Sequence, residues 1–379
     1  ASNLTSASIG WSVNGTVQTP FSWNGTITPG NTLSSVTIGT FNFASNQVYN
    51  FKAWTYNPNG GVDGLALNDT SYKNNVLQGM NGTYTIGGTS PDYPTFQSAL
   101  NDLYFRGVCG SVVFNVRDGL YNEQLTLNSI PNTSTSNTVT FQSQSLDSTK
   151  VRLWVAASLV ATNNYVVGFN GADFVTFNKM TIWRMTNNTY STVIDYKNAS
   201  NNNRFTNCII RGNLIASTGT NYAIINEANQ VNAALADTAN SFINNRIVAG
   251  SYGAYILGAG ALGTYERSWR FTGNRFDSCY YMSLYLSSLE NLTITNNQIY
   301  NNTTYTAGYG IYATSIYNAS AGQRFTVSGN KIWNLYGGYG IYLATVYSAS
   351  NTLINPITNN FQWLIYLWYG SIQFDDDGC

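Results

Sequence analysis

Phe271-Thr272-Gly273-Asn274-Arg275-Phe276 is one copy of a phrase that this chain repeats along its C-terminal two-thirds. The phrase reads apolar, any, Asn or Gly, Asn or Cys, any, apolar. It returns as Phe205-Thr206-Asn207-Cys208-Ile209-Ile210, Phe242-Ile243-Asn244-Asn245-Arg246-Ile247, Ile294-Thr295-Asn296-Asn297-Gln298-Ile299 and Val327-Ser328-Gly329-Asn330-Lys331-Ile332. Looser copies lie at Val175 to Met180, centred on Asn178, and around Asn360. Taking 178, 208, 245, 274, 297, 330 and 360 as fourth positions, the steps run from 23 to 37 residues. A phrase at such a period marks one supersecondary unit stacked on copies of itself.

The copies carry apolar residues on both sides of a short turn, with no helical periodicity between them, so each reads as short strands around a corner. A second phrase keeps the same period: Tyr222-Ala223-Ile224-Ile225, Tyr252-Gly253-Ala254-Tyr255-Ile256, Tyr309-Gly310-Ile311-Tyr312 and Tyr339-Gly340-Ile341-Tyr342. Each turn therefore holds at least two strands, and equivalent strands of successive turns must lie above one another. A right-handed parallel β-helix over 81–379 is the expected architecture. Asn suits the corner in two ways: it tolerates left-handed backbone, and stacked Asn side chains bond along a column. Cys208 occupies one rung, which implies an interior, unreactive thiol. Pro94 to Leu103 places Phe96, Leu100 and Leu103 on one helical face, predicting a capping helix near 94–104 that closes the open end of the solenoid. Val112–Val116 and Gly119–Leu127 read as its first coil.

The segment 1–75 has a different grain. Ile9–Gly15, Val36–Gly39 and Val48–Trp54 alternate like strands of an antiparallel sandwich, with Asn-Gly and Pro-Gly turns between them. About five strands are visible against the roughly seven of an immunoglobulin-like domain. An incomplete sandwich at the start, and a chain stopping at Asp375-Asp376-Asp377-Gly378-Cys379, lead to the expectation of a stretch of a longer polypeptide.

Lys+Arg and Asp+Glu balance at 17 each, charged residues are 9% of the 379, aromatics are 15% and His is absent. No electrostatic footprint for nucleic acid follows from such a balance. No apolar run is long enough for a membrane span. Four widely spaced cysteines, Cys109, Cys208, Cys279 and Cys379, make neither a disulfide framework nor a zinc spacing.

Two segments resemble known families. Ile9 to Thr70, with Trp-Ser-Val-Asn-Gly and Lys-Ala-Trp-Thr-Tyr-Asn-Pro-Asn-Gly-Gly, is similar to CARDB-type immunoglobulin-like modules of bacterial surface proteins. Gly82 to Leu127 resembles the entry of pectin-lyase-like β-helices in large exported proteins of Bacteroidota. That resemblance implies an extracellular or cell-surface adhesin or filament exported by type IX secretion. Gly119-Leu120-Tyr121-Asn122-Glu123 also resembles the start of pectin methylesterases, but the Gln-Asp and Arg-Pro-Trp signatures of that family do not follow. The Gly-His-Gly of polygalacturonases is impossible in a chain without His.

Asp173, Asp195, Glu227, Asp237, Glu266, Asp277 and Glu290 are scattered singly along the solenoid. Hydrolysis of a glycoside would need two carboxylates about 5–10 Å apart. Asp173/Asp195 and Glu266/Glu290, separated by 22 and 24 residues, are the pairs whose spacing comes near one short coil. Asp375, Asp376 and Asp377 offer oxygen ligands of the kind calcium takes; no other cofactor is expected. The sharper surface is aromatic. Alternation turns Ile311 and Ile341 inward and Tyr312 and Tyr342 outward. With Tyr255, Tyr285 and Tyr366 they form an exposed column for stacking along the solenoid, for sugar contact or for packing against a second subunit. The resulting expectation is a non-catalytic extracellular structural or adhesive protein, a rigid unit of a surface fibre or adhesin. The alternative is a polysaccharide-active lyase or hydrolase, or a carbohydrate-binding module. The expected partners are further copies, neighbouring domains of a longer polypeptide, or polysaccharide.

Overall fold

The computed structural model describes residues 2–44, 47–186, 188–228, 233–260, 265–301, 305–318, 325–333, 335, 338–348, 357–358, 360 and, as backbone, 365–368. It divides into two compact units, Ala1–Met80 and Asn81–Cys379.

The first unit is an antiparallel sheet of five strands among the described residues: Leu4–Val13, Thr16–Val17, Phe21–Ile27, Tyr49–Tyr56 and Thr70–Val76. Asn14 and Gly15, at φ 49° and 82°, supply the two left-handed positions that a tight hairpin between the first two strands requires. Trp11, Val13 and Tyr49 form the core, with Ile38, Phe41, Phe43 and Phe51 packed on them. The expected strand at Val36–Gly39 does not form. That segment runs as an irregular crossover, and its Ile38 lies against the sheet face instead of entering a ladder. One sheet with one covered face fits a partial sandwich.

The second unit is a right-handed parallel β-helix. Three sheets run its length, with ten, eight and ten strands among the described residues, and neighbouring strands within each come from successive coils. In the first sheet the first position of the repeat stacks as Phe114, Phe141, Phe177, Phe205, Phe242 and Phe271, with ring centroids 4.9, 5.4, 5.1, 5.1 and 5.5 Å apart. These spacings sit slightly above the strand separation, so each ring fills the interior over its neighbour with little void.

The corner between first and second sheets explains the repeat. The left-handed residues are at the third position: Asn207 (φ 54°), Asn244 (55°), Gly273 (67°), Asn296 (56°) and Gly329 (64°). The fourth position, to which the sequence reading gave both roles, carries only the hydrogen-bonded ladder. Each Oδ1 accepts the backbone N–H of the rung before it. Cys208 donates to Asn245 at 2.8 Å, Asn245 to Asn274 at 3.0 Å, Asn274 to Asn297 at 2.9 Å, and Asn297 and Asn330 to Asn330 and Asn360 at 3.0 Å. Each Nδ2 donates backwards, as Asn245 does to Phe205 O at 2.9 Å and Asn274 to Phe242 O at 2.8 Å. A buried corner leaves backbone groups without strand partners, and an amide side chain supplies both a donor and an acceptor there. Asn178 is not a rung. Register pairs Phe177 with Phe205, so the fourth position of that coil is Met180, and Asn178 instead accepts from Thr206 Oγ1 at 2.8 Å outside the corner.

Cys208 lies inside as expected, its thiol pushed up to about 12 by burial, and Cys279 is equally buried with its thiol at about 12. Cys109 is exposed. With Cys379, which lies outside the described residues, replaced by serine, a maleimide is expected to label Cys109 alone in the native chain and all three cysteines once it is denatured. Rapid native labelling of Cys208 would contradict the packed interior.

The helix at Phe96–Arg106 closes the entry, with Phe96, Leu100 and Leu103 fully buried. Thr95 and Ser98 form a capping box. Glu123 of the first coil takes the next free donors, its Oε1 accepting from Phe96 N at 3.1 Å and its Oε2 from Gln97 N at 2.9 Å. Tyr121 packs edge-on against Phe96 at 5.3 Å and donates to Arg117 O at 2.8 Å. The Gly-x-Tyr-x-Glu stretch therefore serves here to dock the cap: its carboxylate sits where the helix end favours negative charge.

Candidate functional site

Parallel register places one residue of every coil in a straight column on the outside of the third sheet. From the third coil on its rungs are Asp195, Asn226, Tyr255, Tyr285, Tyr312 and Tyr342, and Tyr366 follows by backbone pairing with Tyr342. The side chain of Tyr366 lies outside the described residues. The four described tyrosines are half-buried and stack nearly parallel, with centroids 4.7, 5.2 and 4.8 Å apart and interplanar angles of 11°, 7° and 11°. Ile311 and Ile341 face the interior, as alternation required.

A second row three residues earlier broadens the column. Tyr252 packs edge-on to Tyr255 at 5.1 Å, Tyr309 to Tyr312 at 5.2 Å, and Tyr309 stacks on Tyr339 at 5.3 Å. Burial raises the phenols of Tyr252, Tyr255, Tyr285, Tyr309 and Tyr312 above their ordinary range, and neighbouring phenols add to this for most of them. All stay protonated at physiological pH and act as both donors and acceptors.

This geometry revises one expectation. In a column of parallel rings 4.7 to 5.2 Å apart, each ring face covers the next. Ring edges and hydroxyls are what the tyrosines can offer outward, so the column is a row of hydrogen-bonding phenols spaced at the strand repeat and no platform of open faces for a sugar ring.

The carboxylates do not assemble as their spacing implied. Asp173 accepts from Asn201 N at 2.6 Å in a turn, whereas Asp195 accepts from Asn226 Nδ2 at 2.8 Å on the outer column, so the two are not partners. Glu290 pairs with Arg267 at 2.9 Å. Glu266, instead of meeting Glu290, turns inside and accepts the backbone N–H of Asp237 at 2.8 Å and Trp269 Nε1 at 3.3 Å. Both acids of this Asp237–Glu266 pair are fully buried, as is Glu227. Burial first, and the Asp237 charge second, push the Glu266 carboxyl up to about 8. Asp277 is held between Arg246 (2.7 Å) and Arg275 (2.6 Å). None of these places two carboxylates across a solvent-filled cleft. Among the described residues no group of three or more acidic or thiol side chains could hold a metal, and Asp375, Asp376 and Asp377 lie outside them. No described helix is long and apolar enough to cross a membrane.

The sequence reading missed the Asp237–Glu266 pair and the arginines around Asp277. The second had a signal, since Arg246 and Arg275 share the fifth position of the repeated phrase.

A family model described as "Right handed beta helix region" matches residues 225–375. No curated protein matches the chain. Solved structures with a similar course include the pectin methylesterase of Aspergillus niger, at 11% identity and TM-score 0.42 over 79% of this chain and 94% of that one. Pectin methylesterase PemA from Erwinia chrysanthemi gives 11% and 0.38 over 76% and 94%. The catalytic domain of a GH87 alpha-1,3-glucanase gives 12% and 0.38 over 94% and 77%. At such identities and scores the likeness carries no argument about what this chain binds or does.

Proposed function

We propose that this protein is a non-catalytic, extracellular carbohydrate-binding β-helix with an adhesive role, which holds a polysaccharide along the tyrosine face of its third sheet. The observation that supports the reading is the phenol row Tyr255, Tyr285, Tyr312 and Tyr342, evenly spaced and half-buried on a rigid scaffold. A polysaccharide is a linear array of hydroxyl groups, and a straight line of groups that both donate and accept is suited to follow it. The solenoid fixes these groups in advance, so little side-chain entropy is lost on binding. The scattered carboxylates, each hydrogen-bonded, paired with arginine or buried, support binding over hydrolysis.

The test is affinity electrophoresis in gels containing methyl-esterified pectin, an α-1,3-glucan or other neutral polysaccharides. Tyr285→Phe with Tyr312→Phe keeps both stacked rings and removes two hydroxyls. At about 0.5–1.5 kcal/mol for each hydrogen bond lost, binding is expected to weaken roughly 5- to 100-fold with unchanged melting temperature. Retardation by no polysaccharide, or unchanged retardation of the double variant, would reject the reading. Self-assembly through the same face, as in a surface fibre, is the rival; it predicts ordered filaments by electron microscopy that the same variant disperses.

A further inference from the structure

A groove of about 520 Å³ lies over the outer face of the second sheet, on another side of the solenoid from the tyrosine row. Two parallel columns build its floor. One runs Trp183, Arg211, Val248, Asp277 and Tyr300; beside it run Arg246 and Arg275. Trp183 and Tyr300 are four rungs apart, about 19 Å at the usual strand spacing.

The centre of this floor is charged and ordered. Asp277, with a side chain only 7% exposed, accepts the Nε of Arg246 on one oxygen at 2.7 Å and the Nε of Arg275 on the other at 2.6 Å. Two guanidiniums on adjacent rungs repel each other, and the carboxylate between them pins both side by side. Both bonds use the Nε edge, and the two side chains stay about half exposed, at 55% and 54%. Their terminal nitrogens remain as planar donors of the kind that meet carboxylate or sulfate in pairs. Arg211 lies 5.1 Å above the Trp183 ring, which holds a third guanidinium in place. Three cations face one anion here, in a chain whose Lys+Arg and Asp+Glu are equal. A surface ion-pair ladder would need no excess of cations, no groove and no aromatic residue at each end.

We infer that this groove is a second binding site, independent of the tyrosine face, for a segment of an acidic polysaccharide. Its carboxylate or sulfate groups pair with Arg246, Arg275 and Arg211, and its sugar rings lie along the line from Trp183 to Tyr300. Asp277 acts as a positioning residue for the two arginines. A nucleic acid strand presents a denser row of charge than three arginines around a carboxylate would match, and the rest of the chain supplies no basic field for it.

The experiment is calorimetric titration of the full chain with a hexagalacturonate, a heparin hexasaccharide, maltohexaose and a short oligothymidylate, in low salt and again in higher salt. One or both acidic sugars are expected to bind and to weaken as salt rises; maltohexaose is expected not to bind at this groove. The variant Arg246→Gln, Asp277→Asn, Arg275→Gln removes both cations without orphaning a carboxylate, and circular dichroism checks its fold. It should lose at least tenfold in acidic-sugar affinity, whereas Tyr285→Phe with Tyr312→Phe should leave that affinity unchanged. If the triple variant does not fold, Trp183→Ala with Arg211→Gln takes its place, with the same loss expected. Hexagalacturonate and heparin separate carboxylate from sulfate recognition. The inference is overturned if neither acidic sugar binds, if the groove variants bind like the parent, or if the oligothymidylate binds as well as the sugars.

Discussion

Replacing Asn274 by leucine is expected to destabilise the β-helix by about 3–6 kcal/mol. The Asn274 side chain sits mid-ladder and fully buried. Its Oδ1 accepts from Asn245 N at 3.0 Å and Asn245 Nδ2 at 3.1 Å, and its Nδ2 donates to Phe242 O at 2.8 Å and Asn297 Oδ1 at 3.0 Å. Leucine matches the volume but leaves two to three buried polar groups unpaired, at about 1–3 kcal/mol each. Aspartate at the same place would accept but could not donate, and would add a buried charge. In a solenoid each coil touches only its neighbours, so the damage stays local. Amide exchange should therefore speed up around 242–300 while the first coil, 108–128, keeps its protection. Asn244→Gly is the control: Asn244 at φ 55° needs a left-handed residue, which glycine also provides. A leucine variant melting within a degree of the parent would show that the ladder is not what holds this corner.

The second large effect is pH-dependent and comes from Glu266. Its carboxyl, at about 8 in the fold against 4.5 as a free group, binds a proton more readily folded than unfolded. The associated stability is fully present below about pH 4.5 and is lost as pH rises toward 8, because the unfolded chain ionises first. Between pH 5 and pH 8 that stability is lost progressively, one proton being released by the unfolded chain before the fold gives it up. Glu266→Gln keeps an oxygen for Asp237 N and Trp269 Nε1 but cannot ionise. Its melting temperature is expected to stay nearly level over that range, while the parent falls by several degrees and crosses below it near neutral pH. Thermal scans at intervals of half a pH unit measure this directly. Parallel curves for the two proteins would mean that Glu266 is not the proton acceptor.

The uneven success of the sequence reading follows from how the fold is built. Reading Phe242, Asn245 and Tyr255 as parts of a repeat was enough to place each beside its counterpart, since parallel register converts a sequence period into a contact. The interior phenylalanine stack, the amide ladder, the buried Cys208 and the tyrosine column were legible for that reason. Asn178 is no rung because its coil carries Met180 at the fourth position, and Asn178 stands two residues before it. The division of labour within the corner, left-handed backbone at Asn207 and ladder at Cys208, depends on backbone angles that two adjacent asparagines do not reveal.

By itself, then, the sequence determined the solenoid, its capped entry and the identity of its stacked columns, because strands that repeat in register can bury their apolar side in only one way. Tertiary structure alone decided the polar contacts made across the turns. Asp237 reaches Glu266 and Glu123 reaches the helix at Phe96 because each turn between strands has its own length and direction. Those turns carry no period, and a pairing across them is set by the path of the backbone, not by a count of residues.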